Sequence, residues 1–175
     1  MKKVFVNWAD VQRQAQEILR QLQNDNWRPD YIVGLSRGGL VPAVLVSQYT
    51  GIKMHTLSVS LRDGDTVESN LWMAEDAFAG KQILIVDDIN DSGATLNWIM
   101  KDWPSGCFPQ DERWNSVWGS NVRIAVLYNN ISSDCQFVNY SAEFLNKEDD
   151  PVWIVFPWEE WWKRWNFKEE KNIGV

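Results

Sequence analysis

The sequence predicts an α/β fold, a central parallel sheet flanked by helices. Three observations predict it. Strand-like and helix-like patterns alternate along the chain, as βαβ units require. The run Ile83–Val86 is apolar without alternation and rich in β-branched residues, which suits a strand covered on both faces. Finally, this strand and an earlier one at Tyr31–Gly34 each end in a turn of small residues that opens a helix. Open sheets of this kind bind ligands at the carboxyl ends of their strands.

Each element has its own signal. Asn7 can cap a helix through about Leu22, with Asp10 in its first turn. Trp8, Val11, Ala15, Ile18, Leu19 and Leu22 share one face of it. The strand Tyr31–Gly34 turns at Ser36-Arg37-Gly38-Gly39 into an apolar helix ending near Gly51. Pro42 sits early in that helix, where a missing N–H costs least. Ile52–Ser60 reads as the second strand. Arg62 to Glu75 is polar and charged and reads as a long loop. Ile83–Val86 is the third strand, and Leu96, Ile99, Met100 and Trp103 fall at helical spacing behind it. That helix stops at Pro104-Ser105-Gly106. Residues 104–121 are too long for a simple connection and read as an ordered, Trp-rich insertion. Val122–Leu127 and Val152–Phe156 are the fourth and fifth strands. Trp158, Trp161, Trp162 and Trp165 then lie on one helical face, fit to pack on the core or on another subunit. The whole chain, residues 1–175, reads as a single domain.

Composition narrows the function classes. Net charge is −7 and the pI is about 4.7, which argues against a nucleic-acid or anionic-membrane surface. No apolar run approaches the roughly 18 residues of a membrane helix. The apolar stretch before Asn7 is too short for a signal peptide. Cys107 and Cys135 stand apart and read as free thiols of a reducing cytoplasm. With His55 as the one histidine, a structural zinc site is not expected.

The chemistry concentrates in ILIVDDINDSGATL, Ile83–Leu96. The strand delivers Asp87 and Asp88 to the sheet edge, where they suit hydroxyls or a metal. Asp91, Ser92, Gly93, Ala94 and Thr95 then enter a helix, whose first N–H groups make a phosphate site. An acidic pair at a strand end also occurs in receiver-like phosphohydrolases, and Asp91 or Ser92 can equally serve as a helix cap.

Taken together, these segments resemble the type I phosphoribosyltransferases, and within them the xanthine-guanine and hypoxanthine group. Ile83–Leu96 matches the family's phosphoribosyl-pyrophosphate signature. Leu35–Ala43 (LSRGGLVPA) is similar to its pyrophosphate loop, and Trp153–Glu159 (WIVFPWE) to its base-binding segment. The resemblance covers roughly residues 1–165 apart from the insertion. It implies a small hood formed by the C-terminal segment, about residues 150–170, and a flexible active-site loop at Arg62–Glu75.

The resemblance also implies roles. Asp87 and Asp88 would hold the ribose hydroxyls, and Ser92, Gly93, Ala94 and Thr95 the 5′-phosphate. Ser36, Arg37 and Gly38 would bind pyrophosphate, in a loop where the family has a non-proline cis peptide. Asp91 would be the acid/base beside N7 of a purine, its pKa expected to rise among neighbouring carboxylates. Mg²⁺ would be carried by the substrate phosphates, with Asp87 as a candidate protein ligand. Trp153 would stack on the base and Ile154 offer it backbone groups, although a tryptophan here can also be core. Val155 stands where xanthine-guanine enzymes can use an acid near the purine 2-position.

One departure is plain. Purine enzymes of this kind carry a lysine just after the fourth strand, which donates to the 6-oxo group. Here that strand runs into Tyr128-Asn129-Asn130, and no Lys or Arg occurs from Ile124 to Asn146. Asn129 or Asn130 is the substitute within reach, but an amide both donates and accepts. The implied substrates are phosphoribosyl pyrophosphate and a nucleobase, hypoxanthine, guanine or xanthine, and the implied assembly is a homodimer or homotetramer. The alternative of another class is a non-catalytic regulator of the same fold that binds phosphoribosyl pyrophosphate or a nucleotide.

Overall fold

A computed structural model describes residues 1–59 and 71–164. Five parallel strands form the main sheet in the order β3-β2-β4-β5-β6. They are β2 (Tyr31–Ser36), β3 (Met54–Ser58), β4 (Ile83–Asn90), β5 (Val122–Asn130) and β6 (Tyr140–Leu145). The helices are α1 (Trp8–Asn24), α2 (Leu40–Thr50), α3 (Leu71–Phe78), α4 (Ala94–Gly106) and the short α5 (Trp161–Arg164). A separate two-stranded parallel ribbon pairs β1 (Lys2–Phe5) with β7 (Val152–Val155).

The two faces of the sheet follow from the period of two along each strand. Tyr31, Val33 and Leu35 of β2 pack with Ile83 and Ile85 of β4 against Met73, Ala74 and Ala77 of α3 and Leu96, Ile99 and Trp103 of α4. The intervening Ile32, Leu84 and Val86 face the other way, against Ile18, Leu19 and Leu22 of α1 and Ala43 and Val46 of α2. A smaller cluster, Val6, Val11, Leu127, Val152, Ile154 and Phe156, joins the ribbon to the end of β5. The start of α1 is fixed by a reciprocal cap. Asn7 Oδ1 accepts from the Asp10 N–H at 2.9 Å, and Asp10 Oδ2 accepts from the Asn7 N–H at 3.1 Å.

Three elements differ from the sequence expectation. The segment Val152–Val155 leaves the main sheet and pairs with β1, so the fifth strand of the sheet is β6 instead. The expected loop Arg62–Glu75 ends earlier, because α3 begins at Leu71 and buries Met73, Ala74 and Ala77. Residues 60–70 of that loop, and Trp165 of the C-terminal face, lie outside the described residues. Trp161 and Trp162 remain half-exposed rather than packed on the core.

Residues 107–121 fold onto the α3–α4 face. Trp114 is buried there and donates its indole N–H to the Cys107 carbonyl at 2.8 Å. Phe108 stacks on Phe78, and Trp118 lies against Trp103. Several of the tryptophans are thus core, as a large aromatic payload in a small domain requires. Among the described residues, no helix is long and apolar enough to cross a membrane.

Candidate active site

The carboxyl ends of β2 and β4, the starts of α2 and α4, and the ribbon strand β7 enclose one cleft of about 1010 Å³. Ser36, Arg37, Gly38, Asp87, Asp88, Asp91, Ser92, Gly93, Ala94, Thr95, Trp153 and Ile154 all line it. Residues far apart in sequence therefore meet, because parallel strands send all their outgoing loops to the same edge.

The turn after β2 is pressed against β4. A Cβ at Gly38 would run into the Asp88 carboxylate, so only glycine lets this loop lie over the acids. The Ser36–Arg37 peptide is cis, as the resemblance implied. Arg37 is exposed on the cleft rim.

Asp87 and Asp88 sit at the cleft floor. Burial, and then the neighbouring charge of Asp88, holds the Asp87 carboxyl well above the usual carboxylate range. Burial, followed by the charge of Glu159, pushes Asp88 up to about 6. Glu159 comes from the segment after β7 and accepts from the Phe156 N–H at 2.9 Å. Three carboxylates thus face one space, an arrangement that favours a ligand bringing hydroxyls or positive charge. No cluster of three or more His, Cys, Asp or Glu side chains poised as a metal cage occurs among the described residues. The donors at hand are oxygen only, which suits a hard ion brought in largely by phosphate oxygens.

The turn between β4 and α4 has the form its residues dictate. Gly93 is in the left-handed region at φ +85°, and a Cβ there would lie 2.7 Å from Ser133 Oγ. The helix α4 then starts at Ala94 with no side-chain cap from Gly93, so its N-terminus opens on the cleft. Ser92 Oγ accepts from the Ala94 N–H at 3.3 Å.

Asp91 is not the cap of that helix. Its carboxylate pairs at 2.8 Å with the Lys147 ammonium, both side chains being mostly covered. Instead of more carboxylates, Asp91 has a cation beside it. Lys147 lies in the connection from β6 to β7, lines the same cleft, and stands 5.9 Å from the Trp153 ring centroid. Trp153 is 39% exposed, so it is not core. Ile154 buries its side chain, and among the described residues β7 pairs with β1.

Asn129 and Asn130 are placed otherwise than the sequence suggests. Neither lines the cleft. Asn129 Oδ1 accepts from Asn90 Nδ2 at 2.8 Å. Asn130 is 5% exposed and donates to the Asp91 carbonyl at 2.9 Å. Its Oδ1 accepts from Ser132 Oγ at 2.8 Å and from the Lys147 N–H at 3.0 Å. The Asn130 amide is committed to backbone and side-chain partners, and Asn129 holds the Asn90 side chain through its Oδ1.

Lys147 is the residue that reading the sequence overlooked. Its signal was nonetheless present, since it is the single Lys or Arg between Arg123 and Lys163.

Comparison with known proteins agrees with this geometry. The phosphoribosyl transferase domain model matches residues 6–165. The xanthine-guanine phosphoribosyltransferase of Cereibacter sphaeroides is 29% identical over 168 residues, covering 90% of this chain and 87% of that protein. The enzyme of the same name from Idiomarina loihiensis is 32% identical over 112 residues, 61% of this chain and 68% of that one. Among solved structures, a purine phosphoribosyltransferase from Pyrococcus horikoshii superposes with a TM-score of 0.64 at 28% identity, covering 91% of this chain and 96% of that one. The helix-flanked parallel sheet and the domain match together make this chain a member of the phosphoribosyltransferase family.

Proposed function

We propose that the chain transfers the 5-phosphoribosyl group from phosphoribosyl pyrophosphate to a 6-oxopurine, releasing pyrophosphate and a nucleoside 5′-monophosphate. The observation that carries this reading is the shared cleft. It is lined by the turns Ser36–Gly38 and Ser92–Thr95, which suit phosphates, and by the Asp91–Lys147 pair with Trp153 near the lysine. The names of the relatives, xanthine-guanine and purine phosphoribosyltransferases, support a purine.

The steps assign themselves to residues. Ser92, Gly93, Ala94 and Thr95 hold the 5′-phosphate through the α4 N-terminus and two hydroxyls. Asp87 and Asp88 accept from the ribose hydroxyls and keep negative charge near a sugar that becomes oxocarbenium-like. Ser36, Arg37 and Gly38 bind the departing pyrophosphate. Asp87 would be the candidate protein ligand for a Mg²⁺ brought in with the substrate phosphates, and that ion would neutralise charge on the leaving group. The base nitrogen attacks C1′, the C1′–O bond to pyrophosphate breaks, and the bonding electrons leave with pyrophosphate. The proton lost by the base at N7 goes to Asp91. Trp153 stacks on the base, and β7 at Ile154 offers it backbone groups.

Lys147 sets the base class. An ammonium carries three donors and no acceptor, so it favours a 6-oxo oxygen and disfavours a 6-amino group. It takes over the task that the sequence left to Asn129 or Asn130. On base binding its ammonium turns from Asp91 toward the ring, leaving the carboxylate for N7.

The test is direct. The protein is incubated with phosphoribosyl pyrophosphate, Mg²⁺ and a panel of bases, and nucleotide and pyrophosphate are measured. Product with hypoxanthine, guanine or xanthine, and far less with adenine, is expected. Tight phosphoribosyl pyrophosphate binding with no product from any base would overturn the reading in favour of a non-catalytic regulator.

A further inference from the structure

The buried polar groups behind the cleft do not touch substrate in the mechanism above, yet one of them joins its two halves. Asn130, at the end of β5, donates from Nδ2 to the Asp91 carbonyl at 2.9 Å. The same side chain accepts at Oδ1 from the Lys147 N–H at 3.0 Å. Asp91 belongs to the turn that opens α4, and Lys147 to the β6–β7 connection. These segments are 56 residues apart, and one amide fixes both backbones. Their side chains then meet at 2.8 Å on the cleft side.

The choice of residue is chemically specific. The bridge needs a donor toward a carbonyl and an acceptor toward an N–H. A primary amide supplies both at fixed separation, whereas a carboxylate or a hydrophobic side chain does not. At 5% exposure, water does not readily substitute for either bond. Behind Asn130 lies a second layer. Asn90 Nδ2 donates to Asn129 Oδ1 at 2.8 Å and to the Cys135 carbonyl at 3.0 Å, and Ser133 Oγ donates to Asn90 Oδ1 at 2.8 Å. That layer ties the end of β4 to the end of β5, so the β5 end is a firm anchor for the bridge.

We infer that Asn130 is a positioning residue for base selection: it sets the spacing of Asp91 and Lys147, and so couples the proton acceptor to the 6-oxo donor. This rests on the assignment of Lys147 to the base. Asn130 does not touch the base itself. Its loss lets the β6–β7 connection drift relative to the phosphate turn, and Lys147 no longer reaches the 6-oxo position while Asp91 faces N7.

A double-mutant cycle on selectivity tests it. The measured quantity is the ratio of kcat/KM for hypoxanthine to kcat/KM for adenine, in Asn130→Ala, Lys147→Met and the double variant. Asn130→Ala is expected to reduce the ratio by roughly tenfold or more, because a charged hydrogen bond to the base is misaligned. In the Lys147→Met background, Asn130→Ala is expected to change the ratio by less than about twofold, since its route of action is already gone. A purely structural residue would lower stability and scale both activities together, leaving the ratio unchanged. Ser132→Ala, which removes the hydroxyl bond to the amide and leaves the bonds to Asp91 and Lys147, should keep the ratio at the wild-type value.

Should Asn130→Ala fail to fold, Asn130→Asp decides the matter. It retains the acceptor for the Lys147 N–H but has no donor for the Asp91 carbonyl. With the spacing broken from the Asp91 side, it should lower the hypoxanthine-to-adenine ratio as Asn130→Ala does, and lower kcat for hypoxanthine by roughly tenfold. Any other pattern contradicts the coupling. An unchanged ratio in Lys147→Met alone sinks the base assignment together with this inference. A changed ratio there, with an unchanged one in Asn130→Ala, sinks the role of Asn130 only.

Discussion

The two ends of the cleft are built differently. The sugar-phosphate end is local. Asp87, Asp88, Asp91 and Ser92 to Thr95 come from one strand–turn–helix unit, and Ser36 to Gly38 from the neighbouring unit. The base end is assembled from distant pieces, with Lys147 from the β6–β7 connection, Trp153 and Ile154 from a ribbon strand, and Asn130 behind them. A local unit keeps its chemistry wherever its strand is placed. A composite site exists only when the whole fold brings its pieces together, so its residues can move in sequence while the geometry survives. The lysine absent after β5, and the one after β6 proposed for the same task, would be an instance of that freedom.

The comparison breaks most visibly at Asp91, which belongs to both ends. Asp91→Asn is expected to lower kcat by roughly 10²- to 10⁴-fold, with phosphoribosyl pyrophosphate affinity changed less than about threefold. Isothermal titration beside steady-state kinetics checks this. An equal loss of binding and turnover would make Asp91 a structural residue of the phosphate turn.

Next comes Trp153. Trp153→Ala should raise the KM for the base by roughly ten- to a hundredfold, the worth of one stacked ring, and leave the KM for phosphoribosyl pyrophosphate nearly unchanged. If both constants rise together, the two ends are not separable and the comparison fails.

The smallest effect concerns the acids at the floor. Asp87 and Asp88 hold their protons to higher pH in the fold than in an unfolded chain. The native state therefore binds more protons between the ordinary carboxylate value and about 6, and stability rises as pH falls through that window. Asp88→Asn removes the cost of a charge held at the floor, which is about 2 kcal/mol after allowance for partial exposure. The ligand-free variant should melt a few degrees higher at pH 7.5, with a flatter pH profile, while losing affinity for phosphoribosyl pyrophosphate. A lower melting temperature would mean that Asp88 is structurally needed as an anion.

What was legible in the sequence follows the same division. Ile83–Leu96 and Leu35–Ala43 declare themselves, because strand, turn and helix signals are short-range and the glycines answer to immediate contacts. The pairing of β1 with β7 was not legible, since a parallel ribbon between residues 2–5 and 152–155 leaves no local mark. Tyr140–Leu145 alternates too weakly to stand out, although it extends the sheet and carries the chain on to Lys147. Asn129 and Asn130 looked like base ligands because the chain places them at a strand end. In the fold the Asn130 amide satisfies the Asp91 carbonyl and the Lys147 N–H, and Asn129 accepts from the buried Asn90 side chain.

The central claim is that a lysine from the β6–β7 connection chooses the base. The most direct measurement is a competition between equimolar hypoxanthine and adenine, with limiting phosphoribosyl pyrophosphate, for the wild type and Lys147→Met. The wild type should make the 6-oxo nucleotide in large excess, and Lys147→Met should lose roughly ten- to a hundredfold of that excess through a fall in the hypoxanthine rate. The same excess in both proteins would mean that Lys147 does not choose the base.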